Sequence, residues 1–322
     1  MSLRWRIALG LVTIYLLWGS TFLAIRVAVG TIPPFLMASA RWTIAGIVLY
    51  SLSLLGGGPR PTLVHWRNAV VLAFLLIVAS NGVVTWAETR VSSGVAALLI
   101  ASVSLFMVLL DWLRPRGVRP AGLVIAGLVL GVLGVMLLVG PTKLSGAPVD
   151  RLGALGLLVA SFSFASGSLL SPRLPLPALK IKGAGMEMIA GGVMLFFTAL
   201  LHGEVASFSL ARVTSASILG LFFLVVFGSL VGFTVFLWLM RNASPAIVST
   251  YACVNPVVAV LLGAAFGGEP LTPRTLVATA VIVLAVGLIV SSRASSKVES
   301  TPKAEARPPE IAAAPAAARC ET

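Results

Sequence analysis

Ten runs of about twenty apolar residues, divided by short connectors, occupy nearly all of this chain. A bilayer hydrocarbon core of ~30 Å is crossed by about 20 helical residues, each rising 1.5 Å. The runs fall at 7–29, 34–55, 68–87, 93–112, 120–139, 152–171, 182–201, 215–239, 245–266 and 273–292. Pro33-Pro34, Pro120, Pro245 and Pro273 stand where a first helical turn tolerates proline. The eighth run is long, and Gly228-Ser229 with Gly232 predicts a tilt or kink there.

Composition settles the solvent. Of 322 residues 58% are hydrophobic and 10% charged, with a mean hydropathy of +1.05. Soluble domains carry about 25% charged residues, so this chain cannot cover a surface in water. The net charge of +13 sits singly or in small groups between apolar runs, as orientation signals do. It forms no aromatic-interleaved patch, and nucleic acid is not an expected partner. Cys253 and Cys320 make no disulfide framework or metal pair, and His65 and His202 stand apart near connectors. No metal or cofactor is expected. Arg4 and Arg6 precede an apolar run longer than the ~7–15 residues of a signal-peptide core, so it reads as a retained helix.

With the N-terminus inside, Arg4, Arg6, Arg60, Arg67, Arg114, Arg116, Arg119, Arg173, Lys180, Lys182, Arg241, Arg293 and Lys297 are cytoplasmic. Only Arg26, Arg90, Lys143, Arg151, Arg212 and Arg274 fall on the other side. This excess obeys the positive-inside rule and places both termini in the cytoplasm. The chain after Ser295 is rich in Ala, Pro and charge and reads as a disordered tail.

The chain also repeats itself. Shifted by 146 residues, Trp18-Gly19-Ser20 falls on Phe164-Ala165-Ser166 and Ala45-Gly46 on Gly191-Gly192. Arg90 with Ser92-Ser93-Gly94-Val95 matches Arg241 with Ala243-Ser244-Pro245-Ala246. The expected fold is therefore all-α integral membrane, with ten transmembrane helices in two inverted five-helix repeats. The halves are 1–145 and 146–294, followed by the tail at 295–322. Five is odd, so the second half enters from the opposite side, an arrangement that puts a transporter's site near midplane between the halves.

Several stretches are recognisable. Trp18-Gly19-Ser20-Thr21-Phe22-Leu23-Ala24 is followed by Pro33-Pro34-Phe35 and Arg41, then Asn81-Gly82, Trp86-Ala87-Glu88 and Ser92-Ser93-Gly94-Val95-Ala96-Ala97-Leu98. Later come Ser249-Thr250-Tyr251-Ala252-Cys253-Val254-Asn255-Pro256-Val257-Val258-Ala259-Val260 and Gly267-Gly268-Glu269-Pro270-Leu271-Thr272. In these motifs and their order the chain resembles the EamA family of the drug/metabolite transporter superfamily. The resemblance implies export or exchange of small metabolites, often amino acids, through a cavity between the halves of a bacterial inner-membrane protein. One departure stands out: the family's fourth helix carries a proline matching Pro256, whereas this chain has Ser104-Leu105. Gating by symmetric prolines loses its basis.

Polar groups within spans are costly in lipid and mark function. The ionisable ones are Arg41, Glu88, Asp111, Glu187 and Arg241. Arg41 and Glu187 occupy equivalent places in the second and seventh runs. Two ion pairs with exchanged charges are expected, Arg41–Glu88 outside and Glu187–Arg241 inside, either as structural staples or as alternating gates. Cavity candidates are Trp18, Ser20, Thr21, Asn81, Trp86, Ser102, Ser163, Ser166, Thr250, Tyr251 and Asn255. Hydroxyls and amides can hold a zwitterion while aromatic faces take an apolar or cationic group. Ser and Thr also bond carbonyls of their own helix, whereas an amide cannot satisfy all its donors there. Pro256 is a candidate hinge because it removes a backbone donor.

The first and sixth runs contain no acid, against a multidrug-cation antiporter, and Arg41 alone is too little for phosphate-bearing substrates. A neutral or zwitterionic metabolite carried by a monomeric exporter remains, with protons as a candidate coupling ion. Competing readings are a cation efflux carrier of the same superfamily, a membrane enzyme and a non-transporting scaffold. The enzyme lacks GxSxG, HExxH or a nucleotide-binding loop to stand on.

Overall fold

The computed structural model describes residues 2–56, 59–113, 121–139, 149–243, 245–248 and 250–299. The described residues form helices and no strands. The long ones are α1 (Leu3–Ala28), α2 (Pro34–Leu55), α3 (Leu63–Ala87), α4 (Ser93–Leu113), α5 (Gly122–Val139), α6 (Arg151–Leu170), α7 (Lys180–Leu201), α8 (Ser215–Met240), α9 (Tyr251–Phe266) and α10 (Pro273–Glu299). Seven of these, α1 to α4 and α6 to α8, are long and apolar enough to cross a membrane. The other three have shorter apolar lengths, Gly122–Leu137, Tyr251–Phe266 and Pro273–Ile289. The charges Arg114, Arg116, Arg119 and Lys143, the 145/146 junction and the tail from 300 lie outside the described residues.

Polar side chains start these helices. The hydroxyls of Ser92, Thr214 and Thr272 and the carboxylate of Asp150 accept from the backbone N–H three residues on. Thr62 and His65 cap each other reciprocally. Such caps contribute about 1 kcal/mol each. Glycine then sets the helix crossings. A Cβ at Gly46 would lie 2.6 Å from the Ile189 nitrogen, and one at Gly185 2.7 Å from that of Tyr50, so α2 and α7 meet backbone to backbone. Gly127 and Gly134 bring α5 close to α10, where a Cβ would lie 2.9 Å from the Ala285 carbonyl oxygen and 2.6 Å from the Ile282 side chain respectively. Without a hydrophobic drive between helices in lipid, close packing of small residues supplies the attraction. Large apolar side chains such as Leu55, Met136, Phe197, Leu219 and Phe266 face outward instead.

Two departures from regular helix matter for the site. Both α3 and α8 widen into π-helix, at Phe74–Gly82 and at Leu224–Val231, the second spanning Gly228-Ser229, where a tilt or kink is expected. The fourth and ninth runs, expected to be continuous, are divided. A turn at Ala101-Ser102 interrupts α4, and a short helix Pro245–Val248 ends before the turn at Thr250 that opens α9. The helix is continuous through Pro256, which occupies the sixth position of α9.

The connectors gather by ends. At one end Thr31 bonds Ser217 and the Thr214 N–H, the Leu36 N–H donates to Glu204, Arg90 faces Asp150, and Arg26 meets Glu269. At the other end Asn68 donates to the Pro175 carbonyl and Lys182 to that of Pro59.

Candidate functional site

The centre of the molecule is organised on α1. Gly19 has Val258 so close that a Cβ would lie 2.6 Å from it, which draws α9 against α1. This brings Tyr251 and Trp18 together edge to face at 5.0 Å between ring centroids. Phe236 of α8 adds a third ring, 5.2 Å from Trp18. The Trp18 Nε1–H donates to the Gly228 carbonyl at 3.2 Å, within the π-helical segment of α8. A Cβ on Gly228 would meet Thr21 and the Arg41 guanidinium at 3.0 and 3.4 Å, so α1, α2 and α8 converge there. Arg41 is buried, donates from Nε to the Ser229 hydroxyl at 3.1 Å and lies over the Trp42 ring. Asn255, on the turn of α9 that faces Gly19, is buried, and its Oδ1 has no hydrogen-bond partner among the described residues.

The remaining candidates divide by what their polar atoms reach. Ser20 donates to the Leu16 and Leu17 carbonyls, Thr21 to Trp18, Ser166 to Phe162 and Ser102 to Leu99, each within its own stretch of chain. Asn81 donates to the Leu76 carbonyl five residues back, a bond that the π-helical winding makes reachable. Ser163 crosses between helices to the Leu75 carbonyl. Trp86 packs on Gly156 of α6 and under the Arg90 guanidinium, away from the Trp18 group. Thr250 bonds Tyr15 and the Ile247 carbonyl, closing the break before α9. The cluster brought together is thus Trp18, Thr21, Arg41, Tyr251 and Asn255, joined by Phe236, which the sequence did not single out.

The charges are arranged differently from the expected pairs. Arg41 and Glu88 lie within each other's field but form no ion pair; Arg41 bonds Ser229 instead. Glu187 is half-buried on α7 without a hydrogen bond or ion pair among the described residues, and the Arg241 side chain lies outside them. A contact absent from the expectations occupies one end. The Glu269 carboxylate accepts from the backbone N–H groups of Ser93 and Gly94 at 2.7 and 3.1 Å, and Arg26 Nε approaches it at 3.5 Å. Arg26 also donates to the Val91 carbonyl at 2.7 Å.

Glycines shape this contact. Gly268 has φ 62, a left-handed turn natural to glycine, and carries the chain so that the Glu269 N–H returns to the Gly263 carbonyl. At Gly263 a Cβ would lie 2.5 Å from Glu269 Oε2. The motif Gly-Gly-Glu-Pro therefore places a carboxylate on the positive end of α4. Beside it Glu88 is 1% exposed, and neither of its oxygens has a hydrogen-bond partner among the described residues. Arg26, Arg41 and Glu269 all act on it electrostatically.

The profile of the EamA-like transporter family matches residues 5–140 and again residues 151–291. The chain belongs to that family. Among curated EamA-type relatives it is 39% identical over 280 residues to the uncharacterized inner membrane transporter YedA of Escherichia coli K12, covering 87% of this chain and 89% of YedA. It is 26% identical to the chloroplastic WAT1-related protein At3g02690 of Arabidopsis thaliana, over 89% of this chain and 69% of that protein. A solved crystal structure superposes with a TM-score of 0.60 at 22% identity, over 91% of this chain and 99% of the other. That likeness speaks for the fold. This EamA-family chain is thus a multi-pass membrane protein whose relatives are named as transporters.

Proposed function

We propose that this chain is a secondary transporter that exports small neutral or zwitterionic metabolites, amino acids foremost, across a bacterial inner membrane. The observation that carries the reading is the Trp18 group, where one helix of the first half meets α8 and α9 of the second. There the orphaned Asn255 Oδ1 offers an acceptor for an ammonium group, Arg41 a cation for a carboxylate, and Trp18, Tyr251 and Phe236 a face for a side chain. A buried polar atom without a protein partner stands ready for a ligand. Sites that combine apolar walls with a few convergent polar groups are the ordinary form of small-molecule pockets.

The gathering of alternate connectors at opposite ends supports ten spans and an inverted pair of five-helix halves, 1–145 and 146–294. So do the paired π-helical segments of α3 and α8 and the two family matches. A site shared between such halves suits alternating access. The positive-inside count supports cytoplasmic termini, and the name of the relative YedA supports the inner membrane.

Uptake by proteoliposomes across a panel of amino acids, with and without a pH gradient, tests the assignment. Saturable movement of at least one amino acid is expected. Movement of organic cations with no amino acid transported would favour the other carrier reading, for which the three rings already provide a cation face. No movement of either class would remove the transporter assignment.

A further inference from the structure

Glu88 is the one carboxylate in the described fold that is fully enclosed and has both oxygens without a hydrogen-bond partner. A buried carboxylate keeps its charge only when paired and hydrogen-bonded; otherwise it takes a proton. The groups facing it come from several elements. Arg26 stands on α1, Arg41 on α2, and Glu269 on the connector before α10. On α4 the Ser93 hydroxyl, buried and without a partner among the described residues, lies beside Glu269. Arg90, on Glu88's own connector, is engaged by Trp86 and Asp150. The α6 face in this region is apolar, with Ala154, Leu157 and Ala160. Neither arginine forms an ion pair with Glu88: Arg26 faces Glu269 and donates to the Val91 carbonyl, and the Arg41 Nε donates to Ser229.

We infer that Glu88 is the proton-carrying group of this transporter and that its proton controls a lock formed by Arg26, Glu269 and the start of α4. With Glu88 neutral, Arg26 stays on Glu269, whose carboxylate holds the Ser93 and Gly94 N–H groups and closes this end. Loss of the proton leaves a second carboxylate competing for Arg26. Arg26 turns to Glu88, Glu269 loses its counter-ion, and α4 separates from the α9–α10 connector. One proton is released from Glu88 toward the interior on the Arg41 side, and one is taken up from outside when the end is open. Each cycle therefore carries one proton inward against an exported solute. The inference rests on the transporter reading above, but its test uses no substrate.

Val260 lies beneath the lock, 5% exposed, with its Cγ2 3.1 Å from where a Gly94 Cβ would be. In the full-length chain with Cys253→Ser and Cys320→Ser, a Val260→Cys reporter is labelled by a membrane-impermeant maleimide in right-side-out vesicles. Rates are normalised to Leu210→Cys, an exposed position at the same end. Between about pH 6 and pH 8 the normalised rate is expected to rise, by up to about tenfold per pH unit while one group titrates. Glu88→Gln holds the rate low at both pH values, Glu88→Asp restores the rise, and Glu269→Gln leaves the rate high at both. A normalised rate that does not change with pH in the parent chain overturns the inference. So does a rise that survives in Glu88→Gln. If Glu88→Gln fails to fold, the parent chain and Glu269→Gln still decide it. Failure of the amino-acid panel leaves this result untouched.

Discussion

Asn255 and Ser20 are both polar and both near the Trp18 group, yet truncation removes different things from each. Ser20 already donates to carbonyls of its own helix, and Ser166 does the same on α6. Asn255 Oδ1 accepts no hydrogen bond from any of the described residues. Ser20→Ala and Ser166→Ala are therefore expected to change stability by no more than about 0.5 kcal/mol and to leave transport close to normal. Asn255→Ala should leave the thermal midpoint in detergent intact while lowering uptake about tenfold, a bond to substrate being worth about 1–3 kcal/mol. Thermal unfolding and proteoliposome uptake measured on the same preparations separate the two outcomes. A fall in the melting midpoint of Asn255→Ala without loss of transport would refute the ligand role. The sequence marked out Trp18, Tyr251 and Asn255, because an amide or a ring inside an apolar run is conspicuous. It did not mark Phe236, which is one apolar residue among many. Glu269 was visible as part of a motif, but its partners Ser93 and Gly94 stand 176 and 175 residues away, beyond any local pattern.

At the level of helices, glycine and winding do the positioning. The α2–α7 crossing depends on Gly46 against Ile189 and Gly185 against Tyr50. Gly46→Val must push two backbones apart, with an overpacking cost of about 1–3 kcal/mol. Its melting midpoint in detergent should fall, while a lipid-facing change such as Leu133→Val leaves it in place. The positions of the apolar helices were readable from hydropathy because lipid imposes a length on them. The π-helical segments and the breaks in α4 and α9 were not, since Ser, Gly and Ala in those places fit a regular helix equally well. What selects the wider winding is tertiary: Trp18 takes a carbonyl of one π-segment, and Ser163 takes that of Leu75 in the other. Pro256 drew attention as a hinge, yet the interruption of the ninth run lies before it, at the turn by Thr250.

For the molecule as a whole, sidedness is the property with the widest reach. Leu210 and Pro175 are exposed in connectors at opposite ends. With cytoplasmic termini, Leu210→Cys is labelled by an impermeant maleimide on intact cells and Pro175→Cys only after permeabilisation. The reverse pattern would invert the topology and the sense of the Glu269 lock. Charge bias is the sequence feature on which the proposed orientation rests, because insertion itself responds to Lys and Arg. The internal repeat was faint there, resting on a few small residues. It is plainer in the paired departures from α-helix, which no substitution pattern records.

Glu269 also has a bearing on biogenesis. Chains emerge N-terminus first, at about 5–20 residues per second. The start of α4 is thus in the membrane well before the residue that satisfies its Ser93 and Gly94 N–H groups has been translated. Until the segment after α9 arrives, those donors have only solvent or lipid headgroups to bond. A nascent chain truncated before Glu269 should remain accessible to protease at this end, and the full chain should become resistant in a single late step.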